Sequence, residues 1–212
     1  MQDTLQDIYQ YAELHSSFED EALLHTIERN THLRTLAPRM ISGRMQGAVL
    51  QFLSKMKSPD TILEIGTFTG YASICMAGGL KSGGKLYTIE YNPEHACLAK
   101  EHFDSSNYRD IIELLVGDAK TIIPGLNQNF DIVLIDADKV HNETYYELVL
   151  PKCNSGALIL IDNILWSGKV LNPSQDKKTQ IIHDFNQKVK ADPRVNNLLL
   201  PIRDGLNVLV VL

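Results

Sequence analysis

Residues 61–70 read Thr61-Ile-Leu-Glu-Ile-Gly-Thr-Phe-Thr-Gly70, and the rest of the chain is organised around them. Thr61 to Ile65 has the composition of a short buried strand, which stops at Gly66. A small-residue turn follows, then an apolar helical run from Tyr71 to about Leu80. Strand, glycine turn and helix in succession form the opening unit of a nucleotide-type α/β fold. Glycine suits the turn because its backbone, lacking a Cβ, can approach a ligand closely.

The spacing Gly66-x-x-x-Gly70 is neither the dinucleotide pattern G-x-G-x-x-G nor the phosphate loop G-x-x-x-x-G-K-S/T. It lacks the lysine that holds phosphates, so it advertises no pyrophosphate or triphosphate. The next strand, Lys85 to Glu90, ends on an acid about 20 residues after Gly70, where dinucleotide folds place the acceptor of ribose hydroxyls. A ribose-bearing ligand without phosphates points to S-adenosylmethionine. The alternative is a plain strand–helix turn with a solvated Glu90.

At 212 residues the chain fits one domain with a full core. Its 44% apolar and 22% charged content is that of an ordinary soluble globule. No apolar run approaches the roughly 20 residues of a membrane span, and the polar, acidic N-terminus does not read as a secretory signal. Cys75 and Cys97 fall in helical patterns and Cys153 in an expected loop, without C-x-x-C spacing. So sparse and odd a set fits a reducing cytoplasm. A net charge of −6 without a basic run argues against strong non-specific nucleic-acid binding, leaving only a local basic patch open.

Residues 1–57 read as helical, with Leu5, Ile8, Tyr9 and Ala12, then Leu23, Leu24 and Ile27, then Val49, Leu50 and Leu53 at helical spacing. Pro38 interrupts them, a loop at Met40–Gly43 precedes a helix over Gln46–Met56, and Pro59 ends that helix. This part is expected to cover the ligand cleft, with residues 58–212 forming the α/β core of the same domain. Strands are predicted at Thr61–Ile65, Lys85–Glu90, Ile111–Val116, Asp131–Ile135 and Ala157–Ile161. Helices are predicted at Tyr71–Leu80, Pro93–Ser105, Asn142–Leu150 and Thr179–Ala191. Alternating strands and helices with near-continuous apolar strands give a doubly wound parallel sheet. Val195–Leu200 and Leu206–Leu212, joined without a helix, read as an antiparallel edge hairpin, for seven strands in all.

Ligands of open parallel sheets bind at the carboxyl ends of the strands. Acids stand there at Glu64, Glu90, Asp136 and Asp162, and Gly117-Asp118-Ala119 offers a small-residue turn for an adenine edge. Asp118 is alternatively only a helix cap. If the fourth and fifth strands are neighbours, Asp136, Asp162 and Asn163 converge. Two carboxylates and an amide oxygen, without His or Cys, are hard ligands that suit Mg²⁺ and leave places for a vicinal diol such as a catechol. The alternative is that Asp162-Asn163 caps the next turn. Lys139, in Asp136-Ala-Asp-Lys139, is a candidate base or else a surface lysine. Trp166, the single tryptophan, is either an aromatic wall for a planar substrate or core packing.

Several ordered motifs carry a resemblance. They are Leu63-Glu-Ile-Gly-Thr-Phe-Thr-Gly-Tyr71, Gly84-Lys-Leu-Tyr-Thr-Ile-Glu90, Phe130-Asp-Ile-Val-Leu-Ile-Asp-Ala-Asp-Lys139, Gly156-Ala-Leu-Ile-Leu-Ile-Asp-Asn163 with Leu165-Trp-Ser-Gly168, Asp192-Pro-Arg194, and Leu200-Pro-Ile-Arg-Asp-Gly205. From about Met40 onwards the chain resembles the cation-dependent class I O-methyltransferases of the caffeoyl-CoA and catechol group, in their bacterial form. That resemblance implies a Rossmann-like methyltransferase fold with S-adenosylmethionine and Mg²⁺, or another divalent ion such as Mn²⁺ or Ca²⁺. Glu64, Gly66 and Thr67 would hold the methionine end, Glu90 the ribose, and Asp118 and Ala119 would border the adenine. Ser42 and Asp138 match cofactor-contacting positions. Tyr71 and Ala72 follow the turn, Ala72 where many members carry serine, with Ser73 as a candidate replacement. Asp136, Asp162 and Asn163 would be metal ligands, Lys139 the base, and Trp166, Lys139 and Asn163 substrate contacts.

The implied reaction is in-line transfer of a sulfonium methyl to one hydroxyl of a catechol-type phenol: catechol, protocatechuate or a caffeoyl-like substrate. A homodimer is implied, and no membrane partner. The alternative is methylation of a hydroxylated tRNA uridine, which a basic stripe at the cleft mouth would favour. A non-catalytic cofactor-binding module is disfavoured by the intact acid, amide and lysine set.

Overall fold

The computed structural model describes residues 2–212. Within them β1 (Thr61–Ile65), β2 (Lys85–Glu90), β3 (Ile112–Val116), β4 (Phe130–Ile135) and β5 (Cys153–Asp162) pair in parallel. β6 (Val195–Leu200) and β7 (Leu206–Val211) complete a sheet in the order β3-β2-β1-β4-β5-β7-β6, with β7 antiparallel to both neighbours. The order runs outward from β1 to β3 and then returns to β4 on the other side of β1. That reversal is the switch point at which open α/β sheets hold ligands.

The helices are α1 (Gln2–Leu14), α2 (Glu21–Arg34), α3 (Arg44–Lys57), α4 (Tyr71–Ala77), α5 (Pro93–Asp104), α6 (Ala119–Gly125), α7 (Asn142–Val149) and α8 (Lys177–Ala191). Strand side chains alternate between the two faces. Leu63, Ile65, Val133 and Ile135 pack with Tyr146 of α7 and Phe185 of α8. Ile62, Ile132 and Leu134 pack on the other face with Ile27 of α2, Leu50 of α3, Ile74 of α4 and Phe103 of α5.

The N-terminal helices divide between two roles. α1 brings Tyr9 to the cleft. α3 is core: a Cβ on its Gly47 would lie 2.8 Å from the Tyr71 ring and 2.9 Å from Cys75 Sγ, so only glycine lets α3 and α4 approach this closely.

Four local departures from expectation have physical causes. α4 ends at Ala77 rather than Leu80, because Ser54 Oγ takes the Met76 carbonyl at 2.6 Å and Gly78-Gly79 follow. α6 was not expected, since it is seven residues long and contains Pro124; Asp118 caps it by accepting from the Lys120 N–H at 2.9 Å. Cys153 opens β5 instead of lying in a loop, and all three cysteines are free. α8 starts at Lys177, where Asp176 accepts the Thr179 N–H at 2.9 Å. No helix among the described residues is long and apolar enough to cross a membrane.

Gly66 sits at the switch point with φ +99°, and a Cβ there would lie 2.1 Å from the Asp136 carbonyl oxygen. Gly66→Ala is therefore expected to cost about 3 kcal/mol, from about 1–2 kcal/mol of left-handed strain and a similar overpacking cost. Gly83→Ala, at φ +84° with nothing within 4 Å, should cost only the strain. Denaturant unfolding of both variants checks the difference.

Candidate active site

A cavity of about 1680 Å³ opens at the carboxyl ends of the parallel strands. On one side it is lined by Gly66, Glu90, Asp118 and Ala119. Glu90 is buried at the end of β2, and its two oxygens accept the Phe68 N–H at 2.7 Å and the Asn92 N–H at 2.8 Å. The glycine turn and the acid are thus one rigid unit. Phe68 packs edge-on to His95, with ring centroids 4.8 Å apart.

On the other side Asp136, Asp162 and Asn163 line the same cavity, because β4 and β5 are parallel neighbours with Ile135 opposite Ile161. Lys139 Nζ donates to Asp136 Oδ1 at 2.6 Å. Asp162 is buried; its Oδ2 accepts from Gln46 Nε2 and its Oδ1 from the Asn163 N–H, each at 2.7 Å. Burial first, then the neighbouring Asp136 charge, pushes the Asp162 carboxyl up to about 6. Among the described residues no group of three or more His, Cys, Asp or Glu is arranged to hold a metal. The set here is two acids and an amide.

Asp138 also lines the cavity and accepts from the Val140 N–H at 3.4 Å, and Trp166 stands on the cavity wall instead of in the core. Ser42, Thr67, Tyr71 and Ala72 line a small adjoining recess that shares Gly66 and Asp136 with the main cavity. Glu64 lines neither: it is fully buried, together with Ser73, which donates to it. Glu64 and Ser73 thus stand behind the cavity wall, bonded to each other. The cause is strand alternation, which turns Glu64 with Ile62 toward α4 while Leu63 and Ile65 face the other layer.

Tyr9, Arg39, Phe68, His95 and Arg203 line the cavity without having been picked out from the sequence. Phe68 lies inside the turn between Gly66 and Gly70, next to the residues that signal the site. Tyr9, Arg39 and Arg203 are brought together only by topology. A backbone signature marks the site too: of the seven non-glycine residues with positive φ among the described residues, Phe68, Asn163, Trp166, Ser167 and Arg203 all line the cavity. Such strain concentrates at functional sites.

The sequence profile of the O-methyltransferase family matches residues 13–211. The chain belongs to this family. It is 32% identical over 204 residues to a catechol O-methyltransferase of Niastella koreensis, covering 92% of this chain and 91% of that one. It is 30% identical over 181 residues to caffeoyl-CoA O-methyltransferase 1 of Eucalyptus globulus, covering 80% and 74%. An O-methyltransferase of Bacillus cereus, solved in complex with SAH, matches with a TM-score of 0.92 at 32% identity over 100% of both chains. The chain is accordingly a class I, S-adenosylmethionine-dependent O-methyltransferase with the Rossmann-like fold of that class.

Beneath the site this O-methyltransferase buries a hydroxyl network. Ser73 and Thr88 donate to Glu64 Oε2, and the Thr88 hydroxyl meets that of Thr67. Glu64 Oε1 has no partner. Burial pushes the Glu64 carboxyl up to about 8, against the hydrogen bonds from Ser73 and Thr88 that lower it. A raised carboxyl is carried protonated, so its contribution to stability is full below its ordinary 4.5 and lost as pH rises through about 8. Glu64→Gln should therefore gain stability relative to the parent as pH rises over that window. Thermal unfolding of both from pH 5 to 8.5 reads this out, and parallel curves would refute it.

Proposed function

We propose that this O-methyltransferase methylates one hydroxyl of a catechol-type phenol with the help of a divalent cation, Mg²⁺ foremost. The observation that carries the reading is the set of Asp136, Asp162 and Asn163 side by side at the ends of β4 and β5, in one cavity with Gly66 and Glu90. The names of the catechol and caffeoyl-CoA relatives support the acceptor class.

The donor set fits a hard cation. All three side chains offer oxygen, and two carboxylates facing one cavity carry charge that the Lys139 ion pair offsets in part. A bound cation supplies a Lewis acid that makes a coordinated hydroxyl acidic near neutral pH. The chain's own residues do the rest. Glu90 keeps lone pairs for the ribose hydroxyls, while Asp118 and Ala119 border the adenine. Gly66 lets the sulfonium end lie against backbone, with Thr67, Tyr71, Ala72 and Ser42 behind it and Asp138 at the rim. Trp166 holds the phenol ring flat, and Lys139 Nζ, after releasing its own proton to solvent, takes the phenolic one. Holding donor and acceptor in line at near contact supplies most of the acceleration.

The test is methyl transfer from labelled S-adenosylmethionine to 3,4-dihydroxybenzoate with Mg²⁺ and with EDTA. Transfer abolished by EDTA is expected. Cofactor binding without transfer to any catechol would move the acceptor to a tRNA hydroxyuridine. Asp136→Ala should abolish cation-stimulated turnover, and normal turnover of that variant in EDTA would contradict the cation assignment. Lys139→Ala should lower kcat by about 10²–10⁴-fold, the usual range for a lost general base, with cofactor affinity retained. An unchanged kcat would place the base elsewhere.

A further inference from the structure

Two arginines line the cavity, Arg39 and Arg203. Of the seven arginines in the chain, Arg34, Arg44, Arg109 and Arg194 are ion-paired with carboxylates. Arg39 and Arg203 have no such partner among the described residues; of the other five only Arg29 shares that state. Unpaired guanidinium groups are thus concentrated in the cavity, where nothing in the proposed chemistry of methyl transfer uses them.

The two belong to one wall. Arg203 Nη1 donates to the Ile41 carbonyl at 2.9 Å, and Arg39 stands two residues upstream in the 3₁₀ turn Pro38–Met40. Arg203 has φ +50°, a conformation rare outside glycine. Its Nη1 also lies 3.5 Å from Gln46 Oε1, and Gln46 Nε2 donates to Asp162 at 2.7 Å. One amide group therefore separates this guanidinium from the acid pair that would hold a diol. Asp204, the adjacent acid, accepts the Ser167 N–H and so ties down the Trp166 loop. Asp138 lies 3.2 Å from His141 Nδ1.

We propose that Arg39 and Arg203 select acceptors whose ring carries an anionic oxygen group, a carboxylate, so that the preferred substrate is a catechol acid. This rests on the catechol reading of the same site. Because Gln46 alone lies between Arg203 and Asp162, a ring whose vicinal hydroxyls meet Asp136, Asp162 and Asn163 has a guanidinium within reach of its substituents. A guanidinium presents a planar fork that matches a carboxylate. Arg203 Nη1 is spent on Ile41 and Gln46, leaving Nε and Nη2 for a ligand, and the Arg39 guanidinium makes no hydrogen bond to another described residue.

The decisive comparison is 3,4-dihydroxybenzoate against 3,4-dihydroxybenzamide, which share the ring and the diol and differ in charge. The parent enzyme should favour the benzoate in kcat/KM by about 10-fold or more. Arg203→Gln and Arg39→Gln should each lower the benzoate-to-benzamide ratio by about 10- to 100-fold, chiefly through the benzoate KM, as loss of a charge-assisted hydrogen bond predicts. Because Arg203 also braces Ile41, Arg39→Gln decides the matter if the other variant does not fold. A parent ratio near one, or a ratio unchanged in Arg39→Gln, overturns the proposal while leaving the catechol reading intact. Faster, arginine-dependent turnover of a phosphate-bearing thioester of the same phenol overturns the carboxylate assignment. Failure of both benzoate and benzamide to accept methyl groups overturns the catechol reading and this proposal with it.

Discussion

The structure depends on one close approach, that of Gly66 to the Asp136 carbonyl. β1 must pass from the sheet into its turn between the ends of β2 and β4. Its amides show how tightly it does so: the Gly66 N–H donates to Ile89 O at 2.9 Å, and the Asp136 N–H to Ile65 O at 2.8 Å. Any side chain at 66 would push the β4 end away. The same contact therefore sets the glycine turn beside the acid of β4. Parallel pairing of β4 with β5 then brings Asp162 and Asn163 alongside. The oxygens of Asp136, Asp162 and Asn163 are placed by sheet geometry, with loops adding only the far wall.

That far wall is held under strain. Asn163, Trp166, Ser167 and Arg203 all adopt positive φ, and Asp204 ties the two loops together through the Ser167 N–H and by accepting the Leu165 N–H on its carbonyl at 2.8 Å. Gly205 permits the crossing, since a Cβ there would lie 2.5 Å from Leu165 Cγ. Residues so constrained keep their positions only because the surroundings over-determine them. A rigid wall suits the proposed selection among substituents on a flat ring.

The sheet was legible in the sequence because its strands are short apolar runs bounded by glycine or proline. β1, β2 and β6 fall where expected, and β7 falls within one residue. The floor of the site was legible for the same reason, since its acids stand at strand ends. The full burial of Glu64 was not, because a strand-end acid looks the same whether it lines a cavity or lies behind its wall. The distinguishing signal was the period of two that pairs it with Ile62, together with Ser73 on the facing helix. α6 was hidden by its length and by Pro124. Tyr9, Arg39 and Arg203 are far apart in the chain, and no local pattern links them.

The central claim is that the oxygens at the ends of β4 and β5 form one cation and diol site beside the cofactor turn. The most direct measurement is a crystal structure with Mn²⁺, S-adenosylhomocysteine and a catechol, with the ion located by its anomalous scattering. The account predicts a single strong peak shared by the side-chain oxygens of Asp136, Asp162 and Asn163, with the catechol oxygens completing it. A peak elsewhere, or a catechol bound in the cavity with no ion at these three residues, would contradict it.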